Sequence, residues 1–86
     1  MKYPFILEKN EKILFVVFIS ESEEIIYSMV CKNVDTINKL ENELYQEFPS
    51  LSENENCFLY KGKILNKFQQ FEEIKIKNGD IIIIKS

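Results

Sequence analysis

Few side chains in this 86-residue chain are of the kinds that do chemistry. The chain has no histidine, which is the usual general base at neutral pH and a common metal ligand. Its two cysteines, Cys31 and Cys57, form no Cys-x-x-Cys pair and have no histidine to activate a thiol. The composition therefore predicts neither a hydrolase nor a metal site.

The acidic residues predict no catalytic pair either. Glu21, Glu23 and Glu24 fall in one polar segment, and Glu72 and Glu73 are adjacent in another. General acid–base catalysis needs a carboxyl group with a raised pKa and a second group to act with it. We interpret these carboxylates as solvated charges, and we expect no enzyme activity, no cofactor and no small-molecule substrate.

The charge balance indicates which partners to expect. All eleven basic residues are lysines, and against fourteen acidic residues they leave a net charge of -3. The chain thus lacks the positive field and the arginine side chains that favour phosphate recognition. Nucleic acid is not a predicted partner.

The amino terminus, "MKYPFILEKNEK", does not have the long apolar stretch of a secretory signal. The longest apolar run, "ILFVVFI", has seven residues, whereas a membrane span needs roughly 20. With two cysteines and no disulfide framework indicated, we expect a soluble protein of the cytoplasm or the nucleus, without a membrane partner.

The function must therefore be inferred from the order of the strands and helices. Residues 1–12 are predicted to be an extension or linker, with an apolar cluster at Tyr3, Phe5, Ile6 and Leu7, and residues 13–86 a single domain. Unbroken apolar or β-branched segments predict strands, and the tight-turn signal "NGD" precedes the last of them. These strands are "KILFVVFIS" (12–20), "IIYSMVCKN" (25–33), "CFLYKGKIL" (57–65) and "IIIIK" (81–85).

One amphipathic helix interrupts the strands. A capping residue at Asp35 or Thr36 is followed by Ile37, Leu40 and Leu44, which lie on one side of a helix that ends before Pro49. This stripe is interpreted as core, because polar residues occupy the other sides.

The order strand, strand, helix, strand, irregular crossover, strand resembles the ubiquitin-like β-grasp family. The resemblance rests on "DTINKLENEL", "FLYKGKIL", "FEEIKI" and "NGDIIII", and it covers residues 15 to 85. It implies an α+β fold: a mixed sheet of four to five strands, with the first and last strands adjacent at its centre and one α-helix packed on one face.

A period of two along each strand then predicts two sets of side chains. The set expected to face the helix is Phe15, Val17, Ile19, Tyr27, Met29, Cys31, Ile37, Leu40, Leu44, Phe58, Leu65, Phe71, Ile76, Ile81 and Ile83. The set expected on the opposite face is Val16, Phe18, Ile26, Val30, Leu59, Ile82 and Ile84.

The resemblance implies that partners bind this opposite face, since an apolar patch there is the family's usual binding surface. The positions matching that patch are Leu59, Ile82 and Ile84, to which Phe18 and Val16 add apolar area. We therefore predict a non-catalytic protein–protein interaction domain, a module of a larger intracellular protein. Receptors of the ubiquitin pathway are one class of expected partner.

Two alternatives remain open. The domain could self-associate through the same face or through the N-terminal segment. It could also be a ubiquitin-like modifier or a sulfur carrier, but both end in Gly-Gly, whereas this sequence ends in Lys85 and Ser86. Conjugation is therefore not expected unless the natural chain continues past Ser86.

Overall fold

A computed structural model describes residues 10–22 and 24–86. Its helices and strands, in chain order, are β1 (Ile13–Ser20), β2 (Ile26–Lys32), α1 (Ile37–Glu47), a short 3-10 helix (Pro49–Glu53), β3 (Cys57–Tyr60), β4 (Lys63–Ile64), α2 (Phe71–Ile74) and β5 (Ile81–Lys85). The predicted apolar cluster at Tyr3, Phe5, Ile6 and Leu7 lies outside the described residues. The domain boundary between residues 12 and 13 stays a prediction.

The strands form one five-stranded sheet in the order β2-β1-β5-β3-β4. β1 and β5 are parallel neighbours at the centre, whereas β2, β3 and β4 pair antiparallel with their neighbours. The expected mixed sheet with its first and last strands side by side is confirmed. Each central strand is paired on both sides, which suits its unbroken apolar sequence.

Helix α1 begins where the sequence predicts. The hydroxyl of Thr36 accepts a hydrogen bond from the backbone N–H of Lys39 at 3.3 Å, which satisfies one of the free donors of the first turn. The predicted stripe is buried: Ile37 and Leu44 are fully covered, and Leu40 is 2% exposed. The helix therefore packs its apolar side into the core.

The core lies between α1 and one face of the sheet. Eight of the predicted core side chains are buried in it: Met29, Cys31, Ile37, Leu40, Leu44, Phe58, Phe71 and Ile76. Tyr27 and Leu65 are partly buried and pack against them. Phe18 meets Phe58 edge to face, with ring centroids 6.0 Å apart, a favoured geometry for aromatic pairs.

The predicted sides of β1 and β5 are wrong. Val16, Phe18, Ile82 and Ile84 are at most 3% exposed and belong to the core. Phe15 and Ile81, which were expected inside, are 44% and 48% exposed. Val17, Ile19 and Ile83 lie with them on the other face and are half-buried.

Strand register explains the inversion. Residues directly opposite each other in a sheet share a face. The antiparallel pairs are Val16 with Met29 and Phe18 with Tyr27, so even-numbered residues of β1 accompany odd-numbered residues of β2. The parallel pair of Phe18 with Ile82 carries the same face into β5. The prediction placed odd-numbered residues of all three strands together, which this register does not permit.

Candidate protein-binding surface

The structure separates the five residues predicted to bind a partner. Leu59 lies on the face of the sheet away from α1 and is half-buried. The other four are core residues, with exposed fractions of 0% for Val16, 1% for Phe18, 0% for Ile82 and 3% for Ile84. In the folded domain these four cannot contact a partner, so this part of the predicted site is wrong.

The face away from α1 is nevertheless apolar, and we call it the open sheet face. It carries Ile13, Phe15, Val17, Ile19, Ile26, Val30, Leu59, Ile64, Ile81 and Ile83. These side chains are half-buried or exposed, and none belongs to the buried core. The expectation of an apolar sheet face opposite the helix therefore holds, with different residues from β1 and β5.

Register places one row of this face across all five strands. Ile26 pairs with Ile19, and Ile19 pairs with Ile83. Ile83 in turn pairs with Leu59, and Leu59 pairs with Ile64. Ile26 and Ile64, at the two ends of the row, are 65% and 70% exposed. Five aliphatic side chains thus form a continuous band.

Two further pairs widen the band towards the start of β1. Phe15 lies opposite Val30, and Val17 lies opposite Ile81. Phe15, Val30 and Ile81 are each 40–48% exposed. With the two ends of the band, these side chains expose on the order of 500 Å², near the upper limit of roughly 300–600 Å² for the largest apolar patch on a monomer.

Polar groups border this apolar area. Ser28 is exposed between Ile26 and Val30 on the outer strand. At one edge, Lys32 forms an ion pair with Glu11 at 3.2 Å, and at another, exposed Lys85 lies opposite exposed Cys57. An apolar centre with a polar border is typical of protein–protein interfaces.

The turn before β5 positions this face. Asn78 Oδ1 accepts a hydrogen bond from the backbone N–H of Phe15 at 2.7 Å, and the N–H of Gly79 donates to the Phe15 carbonyl at 2.6 Å. Gly79 has φ +85°, a conformation that glycine adopts without steric cost. The "NGD" segment thereby ties the start of β5 to β1 and sets their register.

The next residue, Asp80, is engaged on the opposite side of the same turn. Tyr60 Oη donates a hydrogen bond to Asp80 Oδ2, and the N–H of Lys77 donates to the same oxygen at 2.8 Å. The tyrosine hydroxyl is the main cause that lowers the pKa of Asp80 below its usual value, and the same bond raises the pKa of Tyr60 to about 12. The ionised carboxylate is therefore the form that the fold stabilises.

Acid should weaken the stabilisation that the ionised Asp80 carboxylate gives to the fold. Because the pKa of Asp80 is lower in the folded chain than in the unfolded chain, its stabilisation is present above about pH 4 and is lost as the pH falls through the folded pKa. We expect Asp80→Asn to be less stable than wild type at pH 6, and the difference in unfolding free energy to shrink below about pH 4. Urea titrations between pH 2 and pH 7 measure this difference.

Glu47→Gln is the control, because it removes one carboxylate from the exposed surface of α1. Its unfolding free energy should be almost the same as that of wild type, both at pH 6 and below about pH 4. A difference between Asp80→Asn and wild type that stayed constant from pH 7 to pH 2 would contradict the assignment.

The cysteines differ in environment. Cys31 is buried beneath α1, and burial, with smaller contributions from Asp35 and Glu43, raises the pKa of its thiol to about 12. It is therefore a protonated core side chain at neutral pH. Cys57 is exposed at the start of β3, where it lies opposite Lys85.

Neither a metal site nor a membrane helix is found in the described part of the chain. No three His, Cys, Asp or Glu side chains among residues 10–22 and 24–86 are grouped closely enough to hold a metal ion. Within the same ranges, no helix has the length and apolar character needed to cross a bilayer.

Comparison with known proteins identifies the fold. No family model and no curated protein sequence matches the chain. Solved structures do match: a ubiquitin of Caldiarchaeum subterraneum, at 12% identity, superposes with a TM-score of 0.77 over 87% of this chain and 94% of the other. A design based on ubiquitin, at 19% identity, superposes with a TM-score of 0.72 over 85% of this chain and 87% of the other. At these identities, the likeness establishes the fold alone.

Proposed function

The chain has the ubiquitin-like β-grasp fold, and from this premise we propose that it is a protein–protein interaction domain that binds a partner through the open sheet face. The observation that carries the proposal is the exposed apolar band across all five strands. Its partner presents an apolar surface of its own, since no charged side chain lies within the band.

Burial of the open sheet face against a partner is energetically favourable. Burying half of the exposed apolar area, at about 25 cal/mol per Å², contributes roughly 6 kcal/mol before the costs of association are subtracted. Phe15 supplies the large aromatic side chain that often dominates binding energy, and it lies beside Val30 in the widest part of the band. We therefore expect Phe15, Val30 and Ile81 to contribute most, with Leu59 beside them.

Mutation of the face tests the proposal. Val30→Glu combined with Ile81→Glu places two charges on the open sheet face without touching the core. Asn42→Glu combined with Gln46→Glu adds the same charge on the exposed surface of α1. Proteins captured from cell extract by wild type are identified, purified and titrated against all three forms by calorimetry.

We expect the sheet-face variant to lose binding by at least about a hundredfold, roughly 2.7 kcal/mol, and the α1 variant to bind like wild type. Equal affinity of wild type and the sheet-face variant would refute the proposal.

Self-association through the same face is distinguished by light scattering. An interaction domain without its partner stays monomeric as its concentration rises. For an assembly domain, the molar mass measured by light scattering rises with concentration, and Val30→Glu combined with Ile81→Glu abolishes that rise. A concentration-dependent mass that responded to these two changes would replace the partner proposal with the assembly function.

A further inference from the structure

A second surface lies at the side of the sheet opposite β2. There, a cleft of about 410 Å³ opens between the turn that joins β3 to β4 and the end of α2. Its apolar walls are Tyr60, Leu65 and Ile74, and its remaining lining residues are Lys61, Lys63, Lys75 and Lys77. We call this the lysine cleft. Its volume lies within the range of roughly 300–1,000 Å³ typical of ligand sites.

The clustering of positive charge is unusual for this chain. The whole sequence has a net charge of -3, yet four of its eleven lysines line one cleft and no acidic residue does. The three ion pairs of the described residues use Lys32, Lys39 and Lys67. In residues 10–22 and 24–86, therefore, none of the four cleft lysines is part of an ion pair that would neutralise it.

One carboxylate beside the cleft, that of Asp80, is already engaged. Asp80 lies behind Tyr60 and accepts hydrogen bonds from the Tyr60 hydroxyl and the Lys77 N–H. It attracts Lys61 and Lys77 electrostatically, which offsets part of the positive charge at that end of the cleft. Lys63 and Lys75 also line the cleft, are not among the charges that act on Asp80, and keep the cleft positive.

Two of the lysines have a left-handed backbone conformation. Lys61 has φ 51° in the turn before Gly62, and Lys75 has φ 66° where it ends α2. Lys75 N–H also donates to the Glu72 carbonyl at 3.3 Å, which closes the end of the helix. Lys61 and Lys75 thus line the cleft from two different parts of the chain, the turn that joins β3 to β4 and the end of α2.

The combination of a lysine rim with an apolar interior selects a ligand chemistry. Carboxylates pair with the lysines, and an apolar side chain between them fills the interior. Single-stranded nucleic acid is disfavoured, because Tyr60 is only 8% exposed and offers no ring for base stacking.

We propose that the lysine cleft binds an acidic peptide segment of a partner protein, in which one large apolar side chain is flanked by Asp and Glu. The site is separate from the open sheet face: Lys63 is opposite Tyr60, and that pair faces the helix side of the sheet. The two surfaces can therefore engage different parts of one partner.

Fluorescence anisotropy with a defined probe tests the inference. The probe is a labelled heptapeptide of Asp and Glu with one central Phe, and a second peptide replaces that Phe by Ser. The cleft variant is Lys63→Gln with Lys75→Gln. Its matched control is Lys12→Gln with Lys85→Gln, which removes the same charge at exposed positions outside the cleft.

We expect the cleft variant to raise the Kd of the Phe peptide at least about tenfold, and the control variant to change it less than about twofold. The Ser peptide should bind at least about tenfold more weakly than the Phe peptide. Equal losses in both lysine variants would show non-specific charge attraction and overturn the proposal, as would equal affinity for the two peptides or no binding at millimolar peptide.

Two more measurements distinguish peptide binding in the cleft from nucleic-acid binding there and from peptide binding on the open sheet face. A single-stranded oligonucleotide of equal charge that bound more tightly than the Phe peptide and displaced it would overturn the peptide assignment. Val30→Ser with Ile81→Ser alters only the open sheet face and should leave peptide affinity unchanged. Loss of peptide binding in that variant would place the peptide on the sheet face instead.

Discussion

Ile82→Glu should unfold the domain. Ile82 is fully buried in the central strand β5, and it pairs with Phe18, which is 1% exposed. A carboxylate there has no partner and must be desolvated, at a cost above about 4 kcal/mol, which approaches the lower end of the roughly 5–15 kcal/mol that stabilises a typical domain. Far-ultraviolet circular dichroism and urea denaturation of the purified variant measure the loss.

Ile81→Glu is the matched control for this experiment. It introduces the same side chain one position earlier in the same strand, where the native residue is 48% exposed on the open sheet face. We expect a change of less than about 1 kcal/mol in unfolding free energy, because the carboxylate stays hydrated. A folded Ile82→Glu alongside an unfolded Ile81→Glu would reverse the assignment of the two faces.

Phe71→Ala should cost about 3–5 kcal/mol of unfolding free energy. Phe71 is the first residue of α2, it is fully buried, and it is part of the main core cluster. The truncation leaves a cavity beneath the crossover, where the backbone is held by a 2.9 Å hydrogen bond from the Phe71 N–H to the Asp35 carbonyl. Urea denaturation monitored by circular dichroism gives the value.

Phe68→Ala, three residues earlier, provides the comparison. Phe68 is 75% exposed, so its removal should change stability by no more than about 0.5 kcal/mol. Similar losses for the two alanine variants would mean that the crossover packs differently from the arrangement described above.

The crossover between β4 and β5 shows a limit of prediction from sequence patterns. Residues 65–76 have no clear period, and Phe68 and Phe71 are equally apolar. Phe71 lies in the core at the start of α2, where the Gln70 N–H donates to Glu73 Oε1 at 3.3 Å and the Glu73 N–H donates to the Gln70 carbonyl at 3.0 Å. A four-residue helix is too short for a repeating pattern to reveal it.

The apolar sheet face opposite the helix was predicted in kind but only partly in its residues. An apolar sheet face opposite the helix follows from strands with apolar residues at both parities. Leu59 was placed on that face correctly, whereas Ile82 and Ile84 were not. The prediction did not use the pairing of the strands. In the antiparallel hairpin of β1 and β2, the numbers of two paired residues have a constant sum, so Val16 lies opposite Met29. Because Met29 is in the core, Val16 must be in the core as well.

The sequence by itself determined the order of the main strands and of α1, because the α1 stripe at Ile37, Leu40 and Leu44 has a helical period and the strands are apolar segments. It could not determine which side of β1 and β5 faces the helix, since apolar residues fill both sides of each of these strands. Tertiary structure decided this through hydrogen-bond register. It also brought together Lys61, Lys63, Lys75 and Lys77 from two separate segments, because a chain turn and a helix end meet only in the folded domain.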